Sequence, residues 1–314
     1  VIRGAAAARG RADMPRANHD KGGPAMTGGA DFWVLQTLNA LQLSMLLFLL
    51  SVGLTVIFGL MHFVNLAHGA LYALGAFAAV TASAAGGYWA GFLAAPVAVA
   101  GLGAALYLGL IRRMRRAGPM NQVLATFGLI FVLWDATRMI WGDFALSVPE
   151  PALFTGRTAL LGVEYPTYRL FVIGLGLSVM AALALLLTRT SIGATIRAGV
   201  DNDRMAACLG VNVERVFFVV FVVGCALAGL AGAVAAPLLS VTTEMGLQIL
   251  IPTLIVVVIG GLGSLKGAVA GSLLYGFVTT FGAVLAPALS SVLIYALLAA
   301  VLVLRPTGLF PARA

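Results

Sequence analysis

"GLMHFVNLAHGALYALGAF" (residues 59–77) lies inside a stretch from Phe32 to Ile111 that contains no Asp, Glu, Lys or Arg. Charged residues make up about a quarter of an ordinary soluble domain. Here they make up 10% of 314 residues, against 61% hydrophobic. A run of this length without formal charge excludes a soluble fold and predicts an all-α polytopic membrane protein. A helix needs about 20 mostly apolar residues to cross the hydrocarbon core, and apolar windows of that length recur between short clusters of charge. The 38 glycines agree, because small residues let membrane helices approach closely.

The rest of the composition narrows the class. Two cysteines, Cys208 and Cys225, are too few for a disulfide framework or a metal site, so neither a metal nor a cofactor is expected. The net charge of +8 reads as the mark of the cytoplasmic side of a membrane protein rather than of a nucleic-acid partner. Residues 1–25 are rich in Ala, Arg and Gly and lack the apolar core of a secretory signal. They read as an upstream or disordered extension, with Met26 as the start, and residues 26–314 as a single transmembrane domain.

Orientation follows from the basic loops. Arg112, Arg113, Arg115 and Arg116 follow an apolar segment directly and place that loop in the cytoplasm. The second basic loop, 189–215, falls on the same side after two spans near 121–141 and 169–188. The intervening stretch 142–168 is then external, and Pro149, Pro151 and Pro166 predict irregular backbone there. Downstream spans near 216–239, 248–264, 267–286 and 289–304 return the chain to the inside. Upstream, 88–111 is one span and 33–86 at least two, with a broken or re-entrant helix within 59–70 whose break is expected at Gly59–His62. About eight crossings result, with an external N-terminus. Asp135 and Arg138, three apart between Trp134 and Trp141, are expected to form an interfacial ion pair.

Within the opening stretch, helical spacing puts His62, Asn65, Gly69 and Tyr72 on one face, with His68 beside Asn65. Gln36, Asn39 and Gln42 form another polar row on the preceding span. Polar groups at membrane depth cost free energy without partners, so these should face the bundle interior or a water-filled path. Two readings stand side by side: hydrogen bonds between helices, at about 0.6 kcal/mol each, or a lining for a solute. "GGLGSLKGAVAGSLLYGF" (260–277) has a similar cadence around Lys266 and Gly267, a pattern compatible with weakly similar halves. Its Gly267-to-Gly271 spacing also suits simple close packing.

The loop "RTSIGATIRAGVDNDRMAACLGVNVERV" (189–216) predicts a short helix capped by Asp201 or Asn202 and ended by Gly210. Met205, Ala206 and Leu209 would form an apolar knob ringed by Arg197, Arg204 and Arg215, the kind of exposed surface that meets a partner. With the opening stretch and "VVIGGLGSLKGAVAGSLLYGF", this loop resembles the permease subunits of branched-chain amino-acid ABC importers over about residues 33–310. Urea permeases share the same stretches. The resemblance implies a pore-forming subunit in the bacterial inner membrane, working with a second related permease, two cytoplasmic ATPases and a periplasmic amino-acid-binding protein. It also implies that Asp201–Gly210 is the coupling element, with Met205 and Leu209 filling a groove of the ATPase and Arg197 and Arg204 meeting its rim. The family carries an acidic residue after its Asn-x-Ala-His-Gly run. Here that place is Ala70.

The chemistry that is missing points the same way. A P-loop needs GxxxxGK[ST], whereas Lys21 and Lys266 are the only lysines and each precedes Gly alone. No Ser-His-Asp, HExxH or paired-carboxylate arrangement is visible, so the chain reads as a transport subunit and not an enzyme. A secondary transporter would need an ion site, and the spans within 32–111 and 249–304 contain no Asp or Glu. A passive channel for a small neutral solute, or a urea or amide permease of the same family, remains as an alternative.

Overall fold

The computed structural model describes residues 29–115, 117–201 and 203–310. The expected extension 1–25, Met26, Arg116 and the alternative cap Asn202 lie outside the described residues, as do the side chains of Asp201 and Arg204. The helices are α1 (Ala30–Met61), α2 (His68–Leu106), α3 (Arg112–Met114), α4 (Pro119–Trp141), α5 (Thr167–Arg189) and α6 (Ser191–Asp201). Then follow α7 (Asp203–Cys208), α8 (Val213–Ala235), α9 (Met245–Gly260), α10 (Leu265–Leu285) and α11 (Ser290–Leu304). A π-helical turn, Tyr107–Ile111, joins α2 to α3. Seven helical segments among the described residues are long and apolar enough to cross a membrane, one of them His68–Met114, and α9 is a shorter apolar helix. The chain is an all-α multi-pass membrane protein.

The segment starting at His68 is two spans. Gly86 and Gly87 leave helical geometry, the latter at φ 75°. A Cβ on Gly91 would lie 2.5 Å from Ala79 O and would also strike the Ser83 hydroxyl. Residues 79 and 91 would be about 18 Å apart on a straight helix. The chain therefore doubles back at the glycine pair, and limbs 68–85 and 88–106 lie side by side. With this fold in α2, the long spans number eight, and the shorter α9 fills the remaining apolar window near 248–264.

The α8 helix runs through the middle of the bundle because glycine and alanine line its faces. A Cβ on Gly53 of α1 would fall 2.7 Å from Gly224 O, and one on Gly75 would fall 2.6 Å from Gly229 Cα. A Cβ on Gly229 would in turn lie 2.9 Å from Ala95 O on the returning limb. Backbones this close exclude any larger side chain, and the resulting core holds Leu50, Ile57, Phe77, Phe221 and Val234. Gln122, Thr126, Ile130, Leu133 and Thr137 of α4 are buried on a single stripe, while Leu124, Phe127 and Val132 point outward. That is the pattern of a helix between bundle and lipid.

Two expectations need correction outside the spans. The stretch 142–168 is more ordered than its prolines suggest, because Leu161 (φ 53°) and Gly162 (φ 85°) make a tight two-residue turn of a β-hairpin. Its strands are β1 (Arg157–Leu160) and β2 (Val163–Pro166), with Leu160 opposite Val163. Paired backbone bonds of 2.9 and 2.8 Å also tie Leu146 to Val241. Arg138 pairs with Asp143 at 3.1 Å, not with Asp135. The helix ends at Gly142 with φ 79°, turning the chain so that Asp143 comes within reach of the last turn.

Candidate functional site

The first helix, α1, ends at His62, whose φ of 48° and ψ of 33° close it in left-handed geometry. The break therefore covers residues 62–67, not Gly59–His62, and α2 begins at His68. The His68 ring Nε2–H donates to Leu50 O at 3.0 Å. Leu50 lies 11 residues before the end of α1, about 16 Å back along its axis. Six extended residues span at most about 20 Å, so 62–67 run back beside α1 and deliver the N-terminus of α2 deep into the bundle. The single helical face expected for His62, Asn65, Gly69 and Tyr72 is thus divided. His62 is exposed at the end of α1, Asn65 is in the non-helical segment, and His68, Gly69 and Tyr72 begin α2.

This buried helix start is short of partners. Asn65 and Tyr72 are each 1% exposed and His68 is fully buried. Neither amide atom of Asn65, nor His68 Nδ1, nor the Tyr72 hydroxyl has a hydrogen-bond partner in the protein, and the same holds for Thr55 Oγ1 on α1. Ala67, ahead of the helix, offers no side-chain cap, and His68 N makes only a 3.4 Å bond to Asn65 O. The first amides of a helix carry partial positive charge and receive anionic groups readily. With Nε2 donating, Nδ1 of a neutral imidazole is an acceptor. Donors and acceptors without partners are thus concentrated in the buried residues 65–72.

Gly69 explains why no side chain fills the position. A Cβ there would strike Gly246 O, in the first turn of α9. On the far side of this crossing, Ala70, Ala73, Leu133, Trp134, Thr137 and Gly246 line a narrow cleft between α2, α4 and α9. The Trp134 indole N–H is buried without a partner. Ala70 borders this apolar cleft.

Asn39 is elsewhere. Its Oδ1 accepts from Tyr165 OH at 3.1 Å and from Arg169 at 3.0 Å, eleven residues before Leu50. Burial raises the Tyr165 phenol above its ordinary pKa, with the Arg169 guanidinium opposing, so the hydroxyl stays a donor. Asn65, His68, Gly69 and Tyr72 are all buried along residues 65–72, whereas His62 is exposed at the end of α1 and Asn39 bonds Tyr165 and Arg169.

The loop 189–215 forms two helices, α6 and α7, where one was expected. Burial of Gly193, Ile196 and Gly199 sets one face of α6 against the bundle and leaves Arg197 exposed. Asp201 is the last residue of α6, and α7 starts at Asp203. Gly210, at φ 84°, stops α7, with Gly210 N bonded to Ala207 O and Val211 N to Ala206 O, both 3.0 Å. Met205 (59% exposed) and Leu209 (77%) project outward, but Ala206 is buried and does not join the expected knob.

The family described as the permease component of the branched-chain amino-acid transport system matches residues 36–302. The chain belongs to this permease family. A high-affinity branched-chain amino-acid transport system permease protein, BraD of Pseudomonas aeruginosa, is 28% identical over 88% of this chain and 95% of its own length. LivH of Escherichia coli K12, described in the same words, is 26% identical with the same coverage. A probable branched-chain amino-acid permease of Methanocaldococcus jannaschii is 27% identical over 76% of this chain and 77% of its own. No solved structure matches the chain.

In this permease, sequence reasoning missed Thr55 and Trp134. Thr55 hides in an apolar run, and Trp134 reads as part of an aromatic belt. Only the depth of the α2 start gives either a role.

Proposed function

We propose that the chain is the membrane-spanning permease subunit of an ATP-driven ABC importer for branched-chain or related amino acids in the bacterial inner membrane. The observation that carries this reading is the buried start of α2 with its unpartnered polar atoms. Transporters of several kinds use discontinuous helices to meet substrate at mid-depth. An amino acid is a zwitterion, and both of its charges find complements here. The α2 amides and Asn65 Nδ2 offer donors to a carboxylate, while Asn65 Oδ1 and His68 Nδ1 offer acceptors to an ammonium.

Drive comes from partner chains: two ATPases on the cytoplasmic face, with a second related permease completing the path and a periplasmic binding protein delivering solute to the outer loops around Glu150 and Glu164. The coupling surface is the exposed Met205 and Leu209 with Arg197. The same element carries Asp201 and Arg204, whose side chains lie outside the described residues, and Gly210 ends it. Leu209→Asp is expected to leave the chain in the membrane and abolish co-purification with the ATPases; undiminished co-purification would reject the coupling assignment. Proteoliposomes containing this chain without an ATPase should not concentrate labelled leucine. Accumulation there would reject the importer reading.

A further inference from the structure

The cytoplasmic end of the 88–111 span holds a pocket outside the transport path. It encloses about 600 Å³, lined by Leu108, Arg112, Arg113, Arg115 and Glu214, a volume within the range of small-molecule sites. Glu214 is heavily engaged: Arg112 Nε lies 3.2 Å from it, Arg115 at 2.7 Å, and Tyr107 OH donates to it at 3.0 Å. Arg115 is held further by the Phe217 ring, 4.0 Å from its guanidinium carbon. Among the described residues, Arg113 donates to the carbonyl of Gly109, one helical turn back, and is exposed. Among the described lining residues, three guanidinium groups face one carboxylate, two positive charges in excess.

The wall leading to the pocket is apolar and faces outward. Leu93, Val97, Gly101, Ala105 and Leu108 are exposed at helical spacing and lead to Arg112. The opposite stripe, from Gly91 through Ala95, Val99 and Gly103 to Tyr107, is buried. Gly101 and Ala105 make the outward stripe shallow. A positive pocket at the end of a shallow apolar furrow on a membrane span matches one ligand chemistry, a phosphate head attached to acyl chains.

We propose that this pocket binds the head group of an anionic phospholipid of the cytoplasmic leaflet, with an acyl chain lying along the furrow. Bound there, the lipid offsets part of the excess charge where the end of the 88–111 span meets the start of α8, directly after the coupling loop.

The test uses the purified full-length chain in mild detergent, titrated with dioleoyl phosphatidylglycerol or dioleoyl phosphatidylcholine and read by native mass spectrometry. Phosphatidylglycerol should be retained preferentially, with the preference falling about fivefold for Arg113→Gln and about thirtyfold for Arg112→Gln/Arg113→Gln. Glu214→Gln should shift it the other way. Arg113→Gln guards against misfolding, because among the described residues that side chain bonds within its own helix. Equal retention of the two lipids, or a preference unchanged in the double variant, overturns the proposal. So does inorganic phosphate displacing phosphatidylglycerol at comparable concentration, which would make the pocket a free-anion site. A double variant that keeps its lipid preference but loses a partner subunit would put the pocket in a protein interface.

Discussion

The break between α1 and α2 and the break between α9 and α10 share a design and differ in how it is finished. In each, a helix ends, a few residues turn, and the next helix starts beside a glycine that no larger residue could replace. Gly69 crosses against Gly246, and Gly267 crosses against Gly260. The last turns of α1 touch the second break, since a Cβ on Gly59 would fall 2.6 Å from Gly263 Cα. The second break is closed by its own chain. Ser264 caps α10 by accepting from Gly267 N at 3.1 Å, and the C-terminal segment bonds back, Leu309 N to Ile259 O and Phe310 N to Gly260 O, both 2.9 Å. The first break has no cap at Ala67 and leaves Asn65, His68 and Tyr72 short of partners. An unsatisfied buried polar group costs about 1–3 kcal/mol. The first break thus carries a cost in unpartnered polar atoms that its counterpart, capped by Ser264, avoids.

Substitutions can test that contrast. Gly267→Val should have the largest structural effect: its side chain would enter Gly260 backbone, cost about 3 kcal/mol, and sharply lower the amount of folded permease in membranes, read by quantitative blotting and detergent melts. Asn65→Leu should act on function instead. Uptake by the full transporter should fall at least about tenfold, equivalent to about 1.4 kcal/mol, while the melting temperature holds or rises because an orphan amide is removed. A stability loss with normal uptake would favour the helix-bonding reading. Ser264→Ala should remove the α10 cap for about 1 kcal/mol and leave transport rates unchanged. The smallest effect is expected for Arg138→Gln, whose exposed pair with Asp143 contributes below about 1 kcal/mol; a large melting shift there would show that the outer loops matter more than the breaks.

Much of the bundle is legible in the sequence because its solvent imposes the pattern. Apolar runs long enough to cross lipid have to be helices, and charge collects where they end, so the spans and the broken helix near 59–70 can be read directly. The candidate site was legible only in part. Asn65, His68, Gly69 and Tyr72 stand out as polar or small residues in an uncharged run. Placing His62 and Asn39 with them assumes unbroken helices and a facing row, and neither assumption survives the turn at His62 or the bonds from Tyr165 and Arg169.

Sequence by itself determined the class of fold, the number of long spans and the absence of formal charge from the first of them, because lipid tolerates no other arrangement of so apolar a chain. Tertiary structure alone decided how far residues 62–67 run back along α1, and with it the depth of the α2 start. That depth depends on which backbones can touch, at Gly53 with Gly224 and Gly69 with Gly246, and such contacts between segments distant along the chain leave no local signature beyond the glycines themselves.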